Sequence, residues 1–147
     1  MNVGIINVTG YAGAELVRLL HTHKHVSVVS VTGRSTVGKR LQEVFPHLAN
    51  ADMVIGPELS ASVDIVFSAL PHKASAEAII PLIKDGIRVI DISADFRLKS
   101  ACEYEKWYGT SHPGPQFLDE AVYGLTELNR KKVETSRLVA NPGCYPT

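Results

Sequence analysis

The chain has little cysteine and no surplus charge of either sign. Its 147 residues hold two cysteines, Cys102 and Cys144, too few and too far apart for the disulfide framework of a small secreted domain. Fifteen basic residues stand against fifteen acidic ones, so the formal net charge at pH 7 is zero. A nucleic acid or an anionic membrane would select for a basic surplus, and neither is expected as a partner. Apolar runs are short: none approaches the ~20 residues that span a bilayer. The opening run Met1 to Val8 lacks a basic leader and meets a glycine turn instead of a cleavage site, so the chain reads as cytoplasmic. Repeats and low-complexity tracts are absent. So are ligand sets with the spacing of a metal site. His21, His23 and His25 crowd the end of the first helix, where the dipole favours a cation. His47 and His72 stand without cysteine or carboxylate company, and no metal is expected.

What remains is an ordinary globular composition, 45% hydrophobic, at a length typical of one domain. Short β-branched runs alternate with helical spacing. Val3 to Val8, Val26 to Val31, Val63 to Ala69, Ile87 to Ile92 and Arg137 to Ala140 read as strands. Ala14 to Leu20 reads as a helix with Leu16, Leu19 and Leu20 on one face, and Ala74 to Ile83 as another that Pro81 ends or kinks. Lys99 to Pro115 reads as a short amphipathic helix followed by a loop, with Trp107, Tyr104 and Tyr108 as a packed aromatic patch. The alternation predicts a Rossmann-like, doubly wound α/β fold, its sheet mostly parallel and covered by helices on both faces.

Asn7-Val8-Thr9-Gly10-Tyr11-Ala12-Gly13 follows the first strand and opens the first helix. A dinucleotide site needs glycines there, one for close approach of a pyrophosphate and one for helix–strand packing. The helix N-terminus adds N–H groups and positive partial charge. Asn7 replaces the first glycine of the pattern, and asparagine tolerates left-handed backbone angles. An NAD-selective site places an acid about 20 residues further on. Here that stretch reads Val31-Thr32-Gly33-Arg34-Ser35-Thr36. Arg34 can pair with a 2′-phosphate, and Ser35 and Thr36 can donate to it, which points to NADP. An ordinary strand-to-helix turn and a solvated basic loop are the plainer alternatives.

Cys144 lies in Asn141-Pro142-Gly143-Cys144-Tyr145-Pro146-Thr147, directly after an apolar strand. A cysteine between a strand and a new helix feels the helix N-terminus, which favours the thiolate. A thiolate can attack a carbonyl and hold the acyl group as a thioester. A buried packing cysteine is the alternative. Cys102, beside Glu103 and Glu105, is read as structural or inert, because neighbouring carboxylates disfavour a thiolate. Asp91, Asp95 and Arg97 read as a charged pair anchoring the loop after the fourth strand.

The chain resembles the N-acetyl-γ-glutamyl-phosphate reductase family of arginine biosynthesis, relatives of the aspartate-semialdehyde dehydrogenases. The resemblance rests on Gly10 to Leu16, Arg34 to Lys39, Ala69 to His72, Asp91 to Arg97, Val122 to Leu125 and Asn141 to Thr147, in family order. It implies that Cys144 is the nucleophile and that Thr9, Gly10, Tyr11, Ala12 and Gly13 hold the pyrophosphate of NADP(H). It further implies that Arg34 and Ser35 meet the adenosine end, that Leu70, Pro71 and Ser93 border the cofactor, and that Asn141 meets substrate. Cys144 would displace phosphate from a small-molecule acyl phosphate, and hydride from NADPH would reduce the thioester through a thiohemiacetal to a semialdehyde. Residues 1–147 are expected to form one NADP-binding domain ending at the cysteine segment. The family's second domain, with its acid/base histidine and dimerisation surface, is expected beyond Thr147, the fragment alone is expected to be inactive, and the full-length protein is expected to be a homo-oligomer. A semialdehyde dehydrogenase for another acyl phosphate, or a non-catalytic NADP-binding module, are the competing readings.

Overall fold

The computed structural model describes residues 1–48, 50–60, 62–144 and 147, and the chain divides into two compact units, Met1–Ala69 and Leu70–Thr147. In the first unit, β1 (Asn2–Ile6) lies between β2 (Ser27–Val31) and β3 (Ile65–Ser68), and both neighbours run parallel to it. Val3 and Ile5 are fully buried, as a central parallel strand covered on both faces requires. Helix α1 (Tyr11–His21) turns Gly13, Ala14 and Val17 inward, with Leu16 and Leu20 packed beside them. Leu19, expected on that face, is 52% exposed. The small Gly13 and Ala14 set the inward side, and Leu19 lies about 200° round the helix from Val17. Burial of Val17 contributes roughly 1.5–3 kcal/mol. Helix α2 (Leu41–Val44) and a 3₁₀ turn at Pro46–Leu48, neither legible from periodicity, bury Leu41 and Leu48 against the same core.

In the second unit β6 (Leu138–Ala140), with all three residues buried, lies between β4 (Arg88–Asp91) and β5 (Val122–Tyr123), again all parallel. Helix α3 (Ala74–Lys84) continues through Pro81 instead of ending there. The missing N–H leaves a carbonyl without its helical donor, but Pro81 and Glu77 are exposed and water can serve it. Helix α4 (Ala101–Tyr108) starts at Ser100, whose hydroxyl accepts the Glu103 N–H at 3.2 Å, and stops at Gly109 with φ 64°. This is the predicted short amphipathic helix with both ends capped. Its aromatic patch meets the expectation at the two tyrosines. Tyr104 and Tyr108, four residues apart on one face, stack with ring centroids 4.8 Å apart, while Trp107 is 74% exposed. Helix α5 (Thr126–Thr135) buries no residue. Between α4 and β5, the Lys99 ammonium donates to the carbonyls of Leu118 (2.9 Å), Asp119 (3.2 Å) and Ala121 (2.5 Å). Among the described residues no helix is long and apolar enough to cross a membrane.

Candidate active site: a glycine turn and a cysteine hollow

The turn after β1 is built by three residues with separate tasks. Asn7 takes φ 64°, the left-handed region foreseen for it. Its N–H donates to Thr32 Oγ1 at 3.3 Å and its Nδ2 to the Ala69 carbonyl at 2.8 Å, so the side chain secures the unusual angle. Gly13 is a packing residue: a Cβ there would stand 2.4 Å from the Asn7 carbonyl oxygen and 2.7 Å from Val8 Cα. Gly10 is different. It has φ −82°, which any residue adopts, and a Cβ would meet nothing closer than Asn7 Nδ2 at 3.5 Å. The protein's own packing therefore does not demand glycine at position 10, whereas a ligand approaching the backbone would.

No side chain caps α1 and its first turn holds no acid. Tyr11 is 99% exposed and Ala12 is exposed, so the amino end of the helix opens outward. Uncapped N–H groups with the positive end of the dipole are suited to a phosphate. Thr9 packs its methyl towards the next loop, where a Cβ on Gly33 would lie 3.1 Å from it.

In that loop Arg34 and Ser35 are exposed. Arg34 makes no ion pair among the described residues, whereas Arg40 pairs with Asp52, and Arg18 with Glu15 at 2.5 Å. Its guanidinium is thus the one in this loop left to an incoming anion. Thr36 departs from the expectation. Its hydroxyl is buried without a hydrogen-bond partner, 3.1 Å from where a Gly33 Cβ would be, and so faces the loop interior.

In the second unit Leu70 is half-buried and Pro71 exposed, with the Pro71 carbonyl accepting the Ser75 N–H at 3.1 Å. Ser93 is buried, and its hydroxyl is engaged twice within its own turn: it donates to Asp91 Oδ2 at 2.7 Å and accepts the Asp95 N–H at 3.1 Å. Asp91 also accepts from the Ser75 hydroxyl at 2.5 Å and the Ser93 N–H at 3.0 Å. Burial pushes the Asp91 carboxyl above its ordinary value, and the bonds from Ser75 and Ser93 oppose that rise. Asp95 accepts three donors: the N–H of Lys73 at 2.9 Å, the N–H of Ala76 at 2.8 Å and the Tyr104 hydroxyl at 2.7 Å. It thereby caps α3 from outside the helix. Burial, then the Asp95 carboxylate, hold the Tyr104 phenol above its usual value, so that hydroxyl stays a donor. The expected charged pair does not form. Arg97 donates Nε to the Asn141 carbonyl and Nη2 to the Ile92 carbonyl, both at 2.8 Å, while each aspartate already accepts three other donors.

Cys144 is exposed, in a bend beyond β6. It opens on a hollow of about 500 Å³ lined also by Arg97, Leu98, Tyr108, Tyr123, Gly143 and Thr147. Among the described residues it is thus not packed into the core. Tyr145 and Pro146, where the helix beyond the cysteine was expected to begin, lie outside the described residues. Asn141 fixes the approach to the bend: its N–H donates to the Asp91 carbonyl at 2.8 Å and its Nδ2 to the Pro142 carbonyl at 3.2 Å. The third guanidinium nitrogen of Arg97 points the same way, 3.5 Å from where a Gly143 Cβ would stand. The hollow thus combines a thiol, a cation and two phenol rings. Sequence reasoning assigned Arg97 to the loop and left Tyr108 and Tyr123 out. The i, i+4 spacing of Tyr104 and Tyr108 was a usable signal; Tyr123, on a two-residue strand, gave none. Cys102 is exposed on α4, and no group of histidines, cysteines and carboxylates among the described residues could hold a metal ion.

The parallel strands with their helices define a Rossmann-like α/β class of protein. Residues 2–136 match the model of the semialdehyde dehydrogenase NAD binding domain, and the chain belongs to that family of oxidoreductases. It is 58% identical over 144 residues to N-acetyl-gamma-glutamyl-phosphate reductase of Dehalococcoides mccartyi, covering 98% of this chain and 42% of that protein. It is 45% identical over 151 residues to the Laribacter hongkongensis reductase of the same name, covering 100% and 44%. The chain thus spans less than half the length of the curated relatives it matches. Among solved structures, aspartate semialdehyde dehydrogenase II from Vibrio cholerae, complexed with ASA, superposes with TM-score 0.64 at 16% identity, over 97% of this chain and 42% of that one. The Candida albicans enzyme with NADP gives 0.52 at 19%, over 76% and 40%. These structural likenesses establish the Rossmann-like fold.

Proposed function

We propose that the chain is the nucleotide-binding part of an NADPH-dependent reductase that converts N-acetyl-γ-glutamyl phosphate to N-acetylglutamate semialdehyde and phosphate in arginine biosynthesis, working in the cytoplasm as a homo-oligomer. The observation that carries the reading is the exposed Cys144 facing a hollow with Arg97, in a chain 58% identical to a reductase of that name. Cys144 attacks the acyl carbon, the bond from that carbon to the phosphate oxygen breaks, and phosphate leaves with the electron pair. The Arg97 guanidinium faces the anionic substrate. Asn141 holds the bend that presents the sulfur and lies beside the substrate.

Thr9 to Gly13 hold the pyrophosphate, where the uncapped helix end and the open Gly10 fit it. Arg34, with Ser35, meets the 2′-phosphate that distinguishes NADP from NAD. Leu70 and Pro71 border the cofactor, with Ser93 in the turn nearby. Bound NADPH supplies the hydride that takes the thioester to the aldehyde level.

The thioester is open to direct test. Mixing the full-length protein, as its gene encodes it, with N-acetyl-γ-glutamyl phosphate, without NADPH, is expected to release about one phosphate per active thiol and to leave an acyl group on the Cys144 peptide by mass spectrometry. Cys144→Ser is expected to abolish both. An acyl group found elsewhere, or phosphate release that survives the substitution, contradicts the mechanism.

A further inference from the structure

Asp95, Tyr104 and Tyr108 form a connected set in the second unit that the proposed chemistry does not use. Lys73, the residue before α3, has φ 70° and ψ −59°. This is the strained γ-turn region, costly for a residue with a side chain. Something must hold it. Its N–H donates to Asp95 Oδ1 at 2.9 Å, and the same oxygen accepts the Tyr104 hydroxyl at 2.7 Å. Tyr104 is fully buried, its ring edge-on to His112 with centroids 4.9 Å apart, so the hydroxyl is fixed in direction. Its ring stacks on Tyr108 at 4.8 Å, and Tyr108 in turn meets His72 at 5.6 Å and lines the Cys144 hollow. The turn at His72–Lys73 is thus held by its backbone through Asp95 and by a ring contact through Tyr108.

We propose that Tyr104 is a positioning residue: through Asp95 and Tyr108 it holds the strained turn at Lys73, and with it the Leu70–Pro71 segment, in the shape that binds the cofactor. The inference rests on the reading of Leu70 and Pro71 as cofactor neighbours. Pro71 is coupled to the turn directly, since its carbonyl accepts the Ser75 N–H at 3.1 Å. Without the Tyr104 hydroxyl, Asp95 loses one of three donors and its grip on the Lys73 N–H loosens. The turn then relaxes towards an ordinary backbone angle and carries Pro71 with it. Glycine holds such an angle without strain, so Lys73→Gly removes the need for the anchor.

The test is a fluorescence titration with NADPH on the protein as its gene encodes it. Tyr104→Phe, which keeps the ring and its stacking, is expected to raise the Kd for NADPH by about fivefold or more. Adding Lys73→Gly to that variant is expected to return the Kd to within about twofold of the unsubstituted protein. A merely structural loss at Tyr104 would not be repaired at Lys73. An unchanged Kd in Tyr104→Phe, or a raised Kd that Lys73→Gly leaves raised, overturns this inference and leaves the cofactor reading standing. Absence of NADPH binding by the unsubstituted protein overturns both.

Discussion

At the scale of single residues, two glycines three positions apart obey different physics. Gly13 is excluded from change by its own chain, since a Cβ would lie 2.4 Å from the Asn7 carbonyl. Backbone cannot yield as a flexible side chain does, so Gly13→Ala is expected to cost about 1–3 kcal/mol or more in urea unfolding. Gly10→Ala meets no such contact. It is expected to change stability by about 1 kcal/mol or less, yet to lose NADPH binding, because the methyl group occupies the space a pyrophosphate needs. Equal stability losses for the two variants would contradict this division. The turn after β1 and the places of Arg34 and Cys144 just beyond strands were legible in the sequence, because each lies at a fixed offset from a strand. Thr36 was not. Residue type declares it a donor, and only the fold of the loop turns its hydroxyl inward.

At the scale of elements, strands β1 to β4 and β6 and helices α1, α3 and α4 were readable, because each carries an apolar pattern that packing must satisfy. Helix α5 was not, since Thr126–Thr135 buries nothing and so shows no stripe. Strand β5 is two residues long, below any period. On α1 the expectation holds for Leu16 and Leu20 and fails for Leu19, because a hydrophobicity count overlooks Gly13 and Ala14, the small residues that set how closely the helix approaches. The segment between α4 and β5 has little regular structure and depends on Lys99, whose ammonium serves three carbonyls. Lys99→Met keeps the stem but leaves those acceptors without their donor, so a loss of about 1–3 kcal/mol is expected by chemical denaturation. A change near zero would mean that water replaces the lysine.

At the scale of the whole molecule, two buried titratable groups bend the stability profile in opposite directions. His112 is 6% exposed, its Nδ1 accepting the Gly114 N–H at 3.0 Å and its ring between Phe96 and Tyr104. Burial lowers its pKa from 6.5, offset in part by Asp95. The folded state therefore binds this proton less readily than the unfolded chain. The contribution is present above pH 6.5 and is lost as pH falls through the folded value. Asp91, raised from 3.8 by burial, contributes stability that is full below 3.8 and is lost as pH rises through its folded value. Urea unfolding between pH 5 and 7 is expected to show falling stability towards the acid side, and His112→Asn, which keeps an acceptor for Gly114, is expected to flatten that slope. An unchanged slope would assign the acid loss elsewhere. Recognition of the cofactor is the property on which the functional account turns, and Arg34 is its sharpest point. The most direct measurement is a calorimetric titration with NADP⁺ and NAD⁺, repeated on Arg34→Ala. NADP⁺ is expected to bind about tenfold or more tightly than NAD⁺, and the substitution to remove the difference; equal affinity for the two nucleotides in the unsubstituted protein would overturn the assignment of Arg34 to the 2′-phosphate.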